Sequence, residues 1–245
     1  MKNLKGFTFN TVQLPVIYEK LGKDWIYYGG DNLFPLFTID LFNKSAINRR
    51  CIQSKADAVL GEGLTTGDPA TEYVTKWANP YDSWNTVLEK ICLDFALHNG
   101  FALNIIWSND AKTISEVYAL DFSKVRSSHA GEDDVCHEYW YCFDWKNPRK
   151  FKPQKFYAFS QEEAQKGLAE GTDRCLSQIL YVKGYAPDQF YYPLPDYIGS
   201  FNDIQLDISV SEFHLSNLSN GLTPSMWINI PTGDPGDEGK REFYT

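Results

Sequence analysis

Long apolar runs are missing from this sequence of 245 residues. No stretch approaches the ~20 apolar residues that a membrane-spanning helix needs. The N-terminal residues 1–10 also lack the apolar core of a secretory signal peptide. We therefore expect a protein that has no membrane partner and that folds in cytoplasm.

An excess of positive charge is missing as well. The chain carries 23 Lys and Arg against 32 Asp and Glu, a formal net charge of −9. A protein that grips nucleic acid without sequence preference needs a basic face to release counterions. This composition argues against such a grip, although DNA can still pass an acidic wall because repulsion lowers adhesion.

Paired cysteine motifs are also absent, since the five cysteines form no CxxC pair. An odd count fits neither a disulfide framework nor a four-thiolate zinc site. Cys136, His137 and Cys142 are the nearest approach to a ligand set. On a strand, however, residues 136 and 142 lie about 20 Å apart. We expect reduced thiols, no metal and no cofactor.

Catalytic motifs are the last absence, because the sequence contains no GxGxxG, GxxxxGK[ST], GxSxG or HExxH. His98 is interpreted as a packed or capping residue at a helix end. His214 has Glu212 only two positions away, and such a pair does not share a helix face. Asp203 and Asp207 do share a face and are interpreted as an acidic edge. We therefore predict no catalytic residues and no enzyme activity.

What the sequence does contain is a high share of aromatic residues, 16%, and clear periodicity. Apolar spacing of three and four predicts helices over about 38–60, 84–98 and 196–219. Asn43 or Ser45 could cap a second segment inside the first range. Alternating apolar residues and turn signals predict a β-rich segment over about 101–185. The fold class expected is α+β, with long helices packed on mixed or antiparallel strands, in a single region over 1–245.

The third helix is the candidate site for assembly. One broad face carries Ile198, Phe201, Ile204, Ile208, Leu215 and Leu218. A second apolar row carries Leu206, Val210 and Phe213. A helix that is apolar over so wide an arc needs partners on two sides. We expect it to pack in the core of the subunit or between neighbouring copies.

A second candidate surface combines aromatic and cationic residues between 139 and 157. Its members of interest are Trp140, Lys146, Arg149 and Lys150. Stacking together with positive charge can bind nucleic acid, single strands in particular. The alternative is a half-buried sheet whose lysines reach out to solvent.

Three stretches carry a family resemblance. The first runs from Gly30 to Gly63, with an asparagine–proline entry, a serine within the helix and a Gly-Glu-Gly exit. The second, Leu88 to Leu103, is a helix–glycine–strand step. The third begins at Tyr192-Pro-Leu-Pro and continues through a helix to Asn220-Gly221 and Gly233-Asp-Pro. Together, and in this order, they resemble the portal proteins of tailed bacteriophages.

The resemblance implies a structural subunit of a homo-oligomeric, dodecamer-like ring at one capsid vertex. Such a ring serves DNA packaging and ejection, and its partners are the terminase large subunit, the major capsid protein, the tail connector and the double-stranded DNA in its channel. The location implied is the virion, with host cytoplasm during assembly. The matched stretches resemble the outer, wing-like part of the family fold. We expect the stem, clip and crown to follow beyond residue 245, where the chain stops at the opening of an uncapped helix.

Two other functions remain open from the residues. The aromatic stretch is compatible with a binding module for carbohydrate or single-stranded nucleic acid. A hydrolase on an α+β scaffold would need a pocket of convergent polar groups.

Overall fold

A mixed sheet of six strands forms the centre of the molecule. The computed structural model describes residues 19–22, 24–64, 76–171 and 176–219. The strand order is β4-β3-β8-β7-β6-β5, and every neighbouring pair is antiparallel except β7 and β8, which are parallel. These strands are β3 (Gly100–Trp107), β4 (Ile114–Leu120), β5 (Val125–Ser127), β6 (Glu138–Tyr141), β7 (Gln154–Ala158) and β8 (Ser177–Lys183). A separate hairpin pairs β1 (Glu19–Leu21) with β2 (Ile26–Tyr28).

Five helices accompany the sheet within the described residues. They are α1 (Phe34–Lys44), α2 (Ala46–Leu60), α3 (Trp84–His98), α4 (Gln161–Ala169) and α5 (Phe201–Ser219). Helix α3 packs on the sheet through Val87, which lies in one cluster with Leu103 and Ile105 of β3. Helices and a mixed sheet together confirm the predicted α+β class. None of the helices in the described ranges is long and apolar enough to cross a membrane.

The range 38–60, predicted as helical with Asn43 or Ser45 as candidate cap of a second segment, is two helices that meet at Ser45. The backbone of Ser45 is extended, with φ −95° and ψ 117°, so it cannot continue α1. Its hydroxyl accepts a hydrogen bond from the Asn48 amide and so caps α2. The earlier start, at Phe34, follows from Pro35, because proline is tolerated in the first turn of a helix.

Helix α3 ends in a tight step into strand β3. Asn99 adopts the left-handed conformation with φ 61°, which terminates the helix. Gly100 follows, and a Cβ at this position would lie 2.9 Å from both the Phe122 ring and the Val182 carbonyl. Glycine is therefore required where the strand passes these two groups.

Helix α5 is shorter than the predicted range 196–219. A single 3-10 turn, Ile198–Ser200, precedes its first residue, Phe201. The chain divides into two units after Ile208, and this boundary falls inside α5. The predicted helix end at Asn220-Gly221 lies outside the described residues, as do Cys175 and residues 233–245.

Candidate functional site

The first part of α5 belongs to the main hydrophobic core. Phe201 is buried, and its ring lies 5.6 Å from the Phe37 ring in an edge-on contact and 6.2 Å from the Phe34 ring. Ile198, Ile204 and Ile208 are partly buried against the same core. This part of the predicted apolar face therefore holds the helix to its own subunit.

The remaining predicted residues of this face are exposed. Leu215 is 67% exposed and Leu218 is 73% exposed. The second row behaves in the same way, since Leu206, Val210 and Phe213 are also exposed. These five side chains, those of Leu206, Val210, Phe213, Leu215 and Leu218, are therefore open to contact.

A groove of about 380 Å³ lies between α2 and the start of α5. Ile47, Cys51 and Ile204 supply apolar walls, while Asp203 and Asp207 place two carboxylates along one side. The Ser45 hydroxyl donates to Asp207 Oδ2 at 2.7 Å. The Nδ2 group of Asn48 is buried without a hydrogen-bond partner and lines the same groove. The predicted acidic edge is therefore one wall of a groove.

A buried polar network joins the β1–β2 hairpin to the third of the stretches that carry the family resemblance. The Tyr28 and Tyr192 rings stack at 4.2 Å with an angle of 6° between their planes. The Tyr28 hydroxyl donates to the Pro193 carbonyl, and the Tyr192 hydroxyl donates to the Ile26 carbonyl. The residues 192–195 are thereby fastened to the hairpin that precedes α1.

Arg126 lies at the centre of this network and is completely buried. Its guanidinium donates to both the side chain and the carbonyl of Asn32, at 2.6 and 2.8 Å, and to the carbonyls of Ser123 and Val125. The Trp145 ring lies 5.0 Å from the guanidinium carbon. Burial lowers the pKa of Arg126 and raises the pKa values of Tyr28 and Tyr192.

Sequence reasoning located the Asn32 turn but missed Arg126. The signal available was a lone arginine inside the alternating segment Val125–Ser127, where a cation must be satisfied if the strand is buried. Because its partner Asn32 lies 94 positions away, no local pattern could identify the acceptor.

Trp140 takes part in a packed aromatic cluster. Its ring lies 5.7 Å from the Trp25 ring, and Trp25 in turn contacts Trp145 at 5.1 Å. Trp145 is buried and donates its indole N–H to the Lys124 carbonyl at 2.9 Å. Trp140 and Trp145 therefore serve packing, and the structure does not join Trp140 with the cations in one stacking surface.

The structure places the predicted cations Lys146, Arg149 and Lys150 on the loop 142–153, which connects β6 to β7. All three are exposed, and Lys152 on the same loop is exposed too. The loop is held in shape from within, because Asp144 accepts from the Lys146 amide at 2.9 Å and from the Asn147 side chain at 2.8 Å. These cations are consequently displayed on an ordered support.

Two titratable groups with shifted pKa values, the half-buried Asp94 and the buried His98, lie in the last turn of α3. Burial lowers the pKa of His98 to about 4, and its Nδ1 lies 3.2 Å from the Thr38 hydroxyl. Burial and the neighbouring charge of Asp121 raise the pKa of Asp94 to about 7. The Phe122 amide donates a hydrogen bond to the Asp94 carboxylate, which partly opposes this rise. His98 is therefore neutral, as its interpretation as a packed residue requires.

His137 and Cys142, which the sequence offered as candidate metal ligands, have separate partners. His137 contacts the Asp133 carboxylate at 2.8 Å on an exposed loop. The Cys142 thiol is directed at the carbonyls of Asp144 and Phe151. Among the described residues, no cluster of three or more His, Cys, Asp and Glu side chains is arranged to hold a metal ion.

Comparison with known proteins reveals similarity in structure only. No family model matches the chain, and no curated protein matches its sequence. A chain of the neck of the empty gene transfer agent particle, computed with C6 symmetry, superposes with a TM-score of 0.59 and 14% identity. That match covers 86% of this chain and 54% of the other.

Two further solved structures give the same result. A chain of the native particle's neck, computed with C12 symmetry, has a TM-score of 0.55 and 13% identity over 84% of this chain and 53% of its own. A chain of the native virion has a TM-score of 0.56 and 14% identity over the same shares, 84% and 53%. This chain thus has the fold of these chains and spans about half their length.

Proposed function

We propose that this chain is the wing-like portion of a portal-type subunit, which works by assembling into a ring and not by catalysis. The observation that carries the proposal is the shared fold over most of the chain with chains of gene transfer agent particles, two of them from necks computed with C6 and C12 symmetry. The three stretches with portal resemblance support it from the sequence. A match to about half of each longer chain fits a portion of such a subunit.

The exposed apolar side chains of α5 support the same proposal. A large exposed apolar patch on a folded protein is more often a contact site than a single exposed apolar residue is. Leu206 is 62% exposed, and Phe213 is 61% exposed. In a ring, each subunit meets its neighbours through such surfaces, and the interface repeats by rotation until it closes.

The remaining roles follow from the ring. We propose that the subunit is located in the virion at a capsid vertex, next to the major capsid protein. There the ring would dock the terminase large subunit during DNA packaging and a tail connector afterwards, while double-stranded DNA passes through its channel. The net charge of −9 suits a passage that does not hold DNA tightly.

Electron microscopy of the complete gene product that contains this sequence tests the proposal. Negative-stain images and light scattering should show rings with cyclic symmetry and a mass that is an integral multiple of one subunit. A product that stays monomeric at high concentration contradicts the proposal. So does turnover of a substrate that is lost when His98, His137 and His214 are replaced together.

A further inference from the structure

Two loops of opposite charge project from opposite ends of one three-stranded meander. The acidic loop, residues 129–137, joins β5 to β6, and the basic loop, residues 142–153, joins β6 to β7. Both pairs of strands are antiparallel, so consecutive connections lie at opposite ends of β6. The four residues of β6 span about 13 Å, which sets the smallest separation between the two loops.

The basic loop stands out in an acidic chain. Lys146, Arg149, Lys150 and Lys152 are exposed, and none of them is in an ion pair within the ranges that the structure describes. Asp144 is the only carboxylate on this loop, and backbone and side-chain hydrogen bonds occupy it. Phe143, 63% exposed, adds an apolar side chain beside the cations.

The acidic loop carries the opposite charge, and its backbone is likewise held in a defined conformation. Glu132, Asp133 and Asp134 are exposed in succession, and Val135, 50% exposed, is the neighbouring apolar residue. The turn is closed by a hydrogen bond of 2.9 Å from the Gly131 amide to the Val135 carbonyl. Asp134 is left-handed, with φ 57°. Both loops are therefore held in shape before binding, which lowers the entropy that an interface must overcome.

We infer that the basic loop of one copy docks on the acidic loop of the next copy. This inference rests on the proposed ring and names a contact within it. A ring needs two different, complementary surfaces on each subunit, facing away from each other. Opposite charges at opposite ends of β6 meet that requirement, whereas two loops at the same end would not.

Nucleic acid is the less suitable partner for the basic loop. A surface that binds the nucleic-acid backbone has its cations spread along a groove, together with exposed aromatic rings on which the bases stack. Here the aromatic rings of Trp140 and Trp145 are packed in the subunit, and the cations occupy a single loop tip. An acidic loop of matching size is present on every copy of the chain itself.

A reciprocal charge exchange in the complete gene product tests the inference. In the first variant, Lys146→Glu and Arg149→Glu make both loops acidic. In the second, Glu132→Lys and Asp134→Asn remove the acidic loop's charge, and asparagine keeps the left-handed position accessible. Each variant alone should associate at least about tenfold more weakly than the wild type, since like charges meet across the interface in the first variant and the attraction between opposite charges is lost in the second. An equimolar mixture should associate more strongly than either variant alone, because every second contact then pairs a basic loop with an acidic loop.

A matched control separates local from general charge effects. Arg50→Glu with Lys112→Glu makes the same change in net charge as the first variant, at exposed positions of α2 and of the β3–β4 turn. This control should assemble like the wild type in sedimentation velocity. Circular dichroism and thermal melting verify that every variant is folded.

The outcomes distinguish the two proposals. Wild-type rings that persist in both reversal variants, or a mixture that associates no more strongly than either variant alone, overturn the loop contact and leave the ring intact. A wild type that never associates overturns the ring, and the contact with it. If the first variant loses binding to duplex DNA while its assembly is unchanged, the basic loop is a DNA contact and the inference is wrong.

Discussion

Arg126 is the residue on which the hairpin, the Asn32 turn and β5 converge. It is a buried cation that has carbonyl oxygens and aromatic rings as neighbours, and its hydrogen bonds satisfy the acceptors of three residues. A buried acceptor that loses its donor costs about 1–3 kcal/mol. The structural importance of this residue therefore exceeds that of any exposed cation on the chain.

Replacing Arg126 by methionine tests this role. Arg126→Met should lower the free energy of unfolding by about 3 kcal/mol or more, because several buried carbonyls lose their donor and methionine offers none. Urea unfolding followed by circular dichroism measures the change. Arg50→Met, at an exposed position, is the control and should stay within about 0.5 kcal/mol of the wild type. A similar result for Arg126→Met would contradict the role.

Asp94 and His98 make opposite contributions to the pH dependence of stability. The pKa of Asp94 is raised from 3.8 to about 7, so the folded state holds a proton that the unfolded state has released. Stability is therefore lost as pH rises through that window. The pKa of His98 is lowered from 6.5 to about 4, so stability is instead lost as pH falls from 6.5 toward 4.

Asp94→Asn should isolate the histidine contribution. Because asparagine cannot ionise, this variant should gain about 1 kcal/mol or more relative to the wild type between pH 5 and pH 8. Urea unfolding at a series of pH values measures it. Glu89→Gln on the exposed side of α3 serves as control and should run parallel to the wild type. A wild type and an Asp94→Asn variant with parallel profiles would contradict a raised pKa of Asp94.

At the scale of elements, α5 has two kinds of apolar residue. Phe201 is in contact with three aromatic rings of its own subunit, those of Phe34, Phe37 and Tyr197. Leu218, by contrast, is 73% exposed. The apolar periodicity of the sequence predicts that both residues lie on a helix. It does not distinguish the buried Phe201 from the exposed Leu218.

These two residues should respond differently to truncation. Phe201→Ala should lower the free energy of unfolding by about 3–5 kcal/mol, because it leaves a cavity among aromatic side chains. Leu218→Ala should leave the melting temperature nearly unchanged and weaken self-association. Differential scanning calorimetry and light scattering measure the two effects. A large loss of stability in Leu218→Ala would show that the residue is buried in its own subunit.

At the scale of the whole molecule, charge has a pattern that composition conceals. A net charge of −9 gives no indication that one loop is basic. The sequence predicted a cationic segment after Trp140, and it also contains three consecutive carboxylates at residues 132–134. Only the pairing of β5, β6 and β7 shows that the two lie at opposite ends of one meander.

Much of the fold could be predicted because its signals are local. The serine caps before α2 and α3, the Asn99-Gly100 step and the alternating strands each depend on residues a few positions apart. The break at Ser45 is one of these local signals, because a serine hydroxyl at this position can cap a second helix. Apolar periodicity continues across it, and the backbone turns there because the Ser45 hydroxyl satisfies the Asn48 amide.

The amino-acid sequence alone indicated roughly where the main helices and strands form, which side chains are apolar and that the fold is α+β. The tertiary structure alone decided which apolar residues of α5 are buried, that Arg126 binds Asn32 and that the two charged loops point apart. The physical reason is distance along the chain. Capping and periodicity act within a turn of helix, whereas burial and buried hydrogen bonds join residues such as Asn32 and Arg126, 94 positions apart.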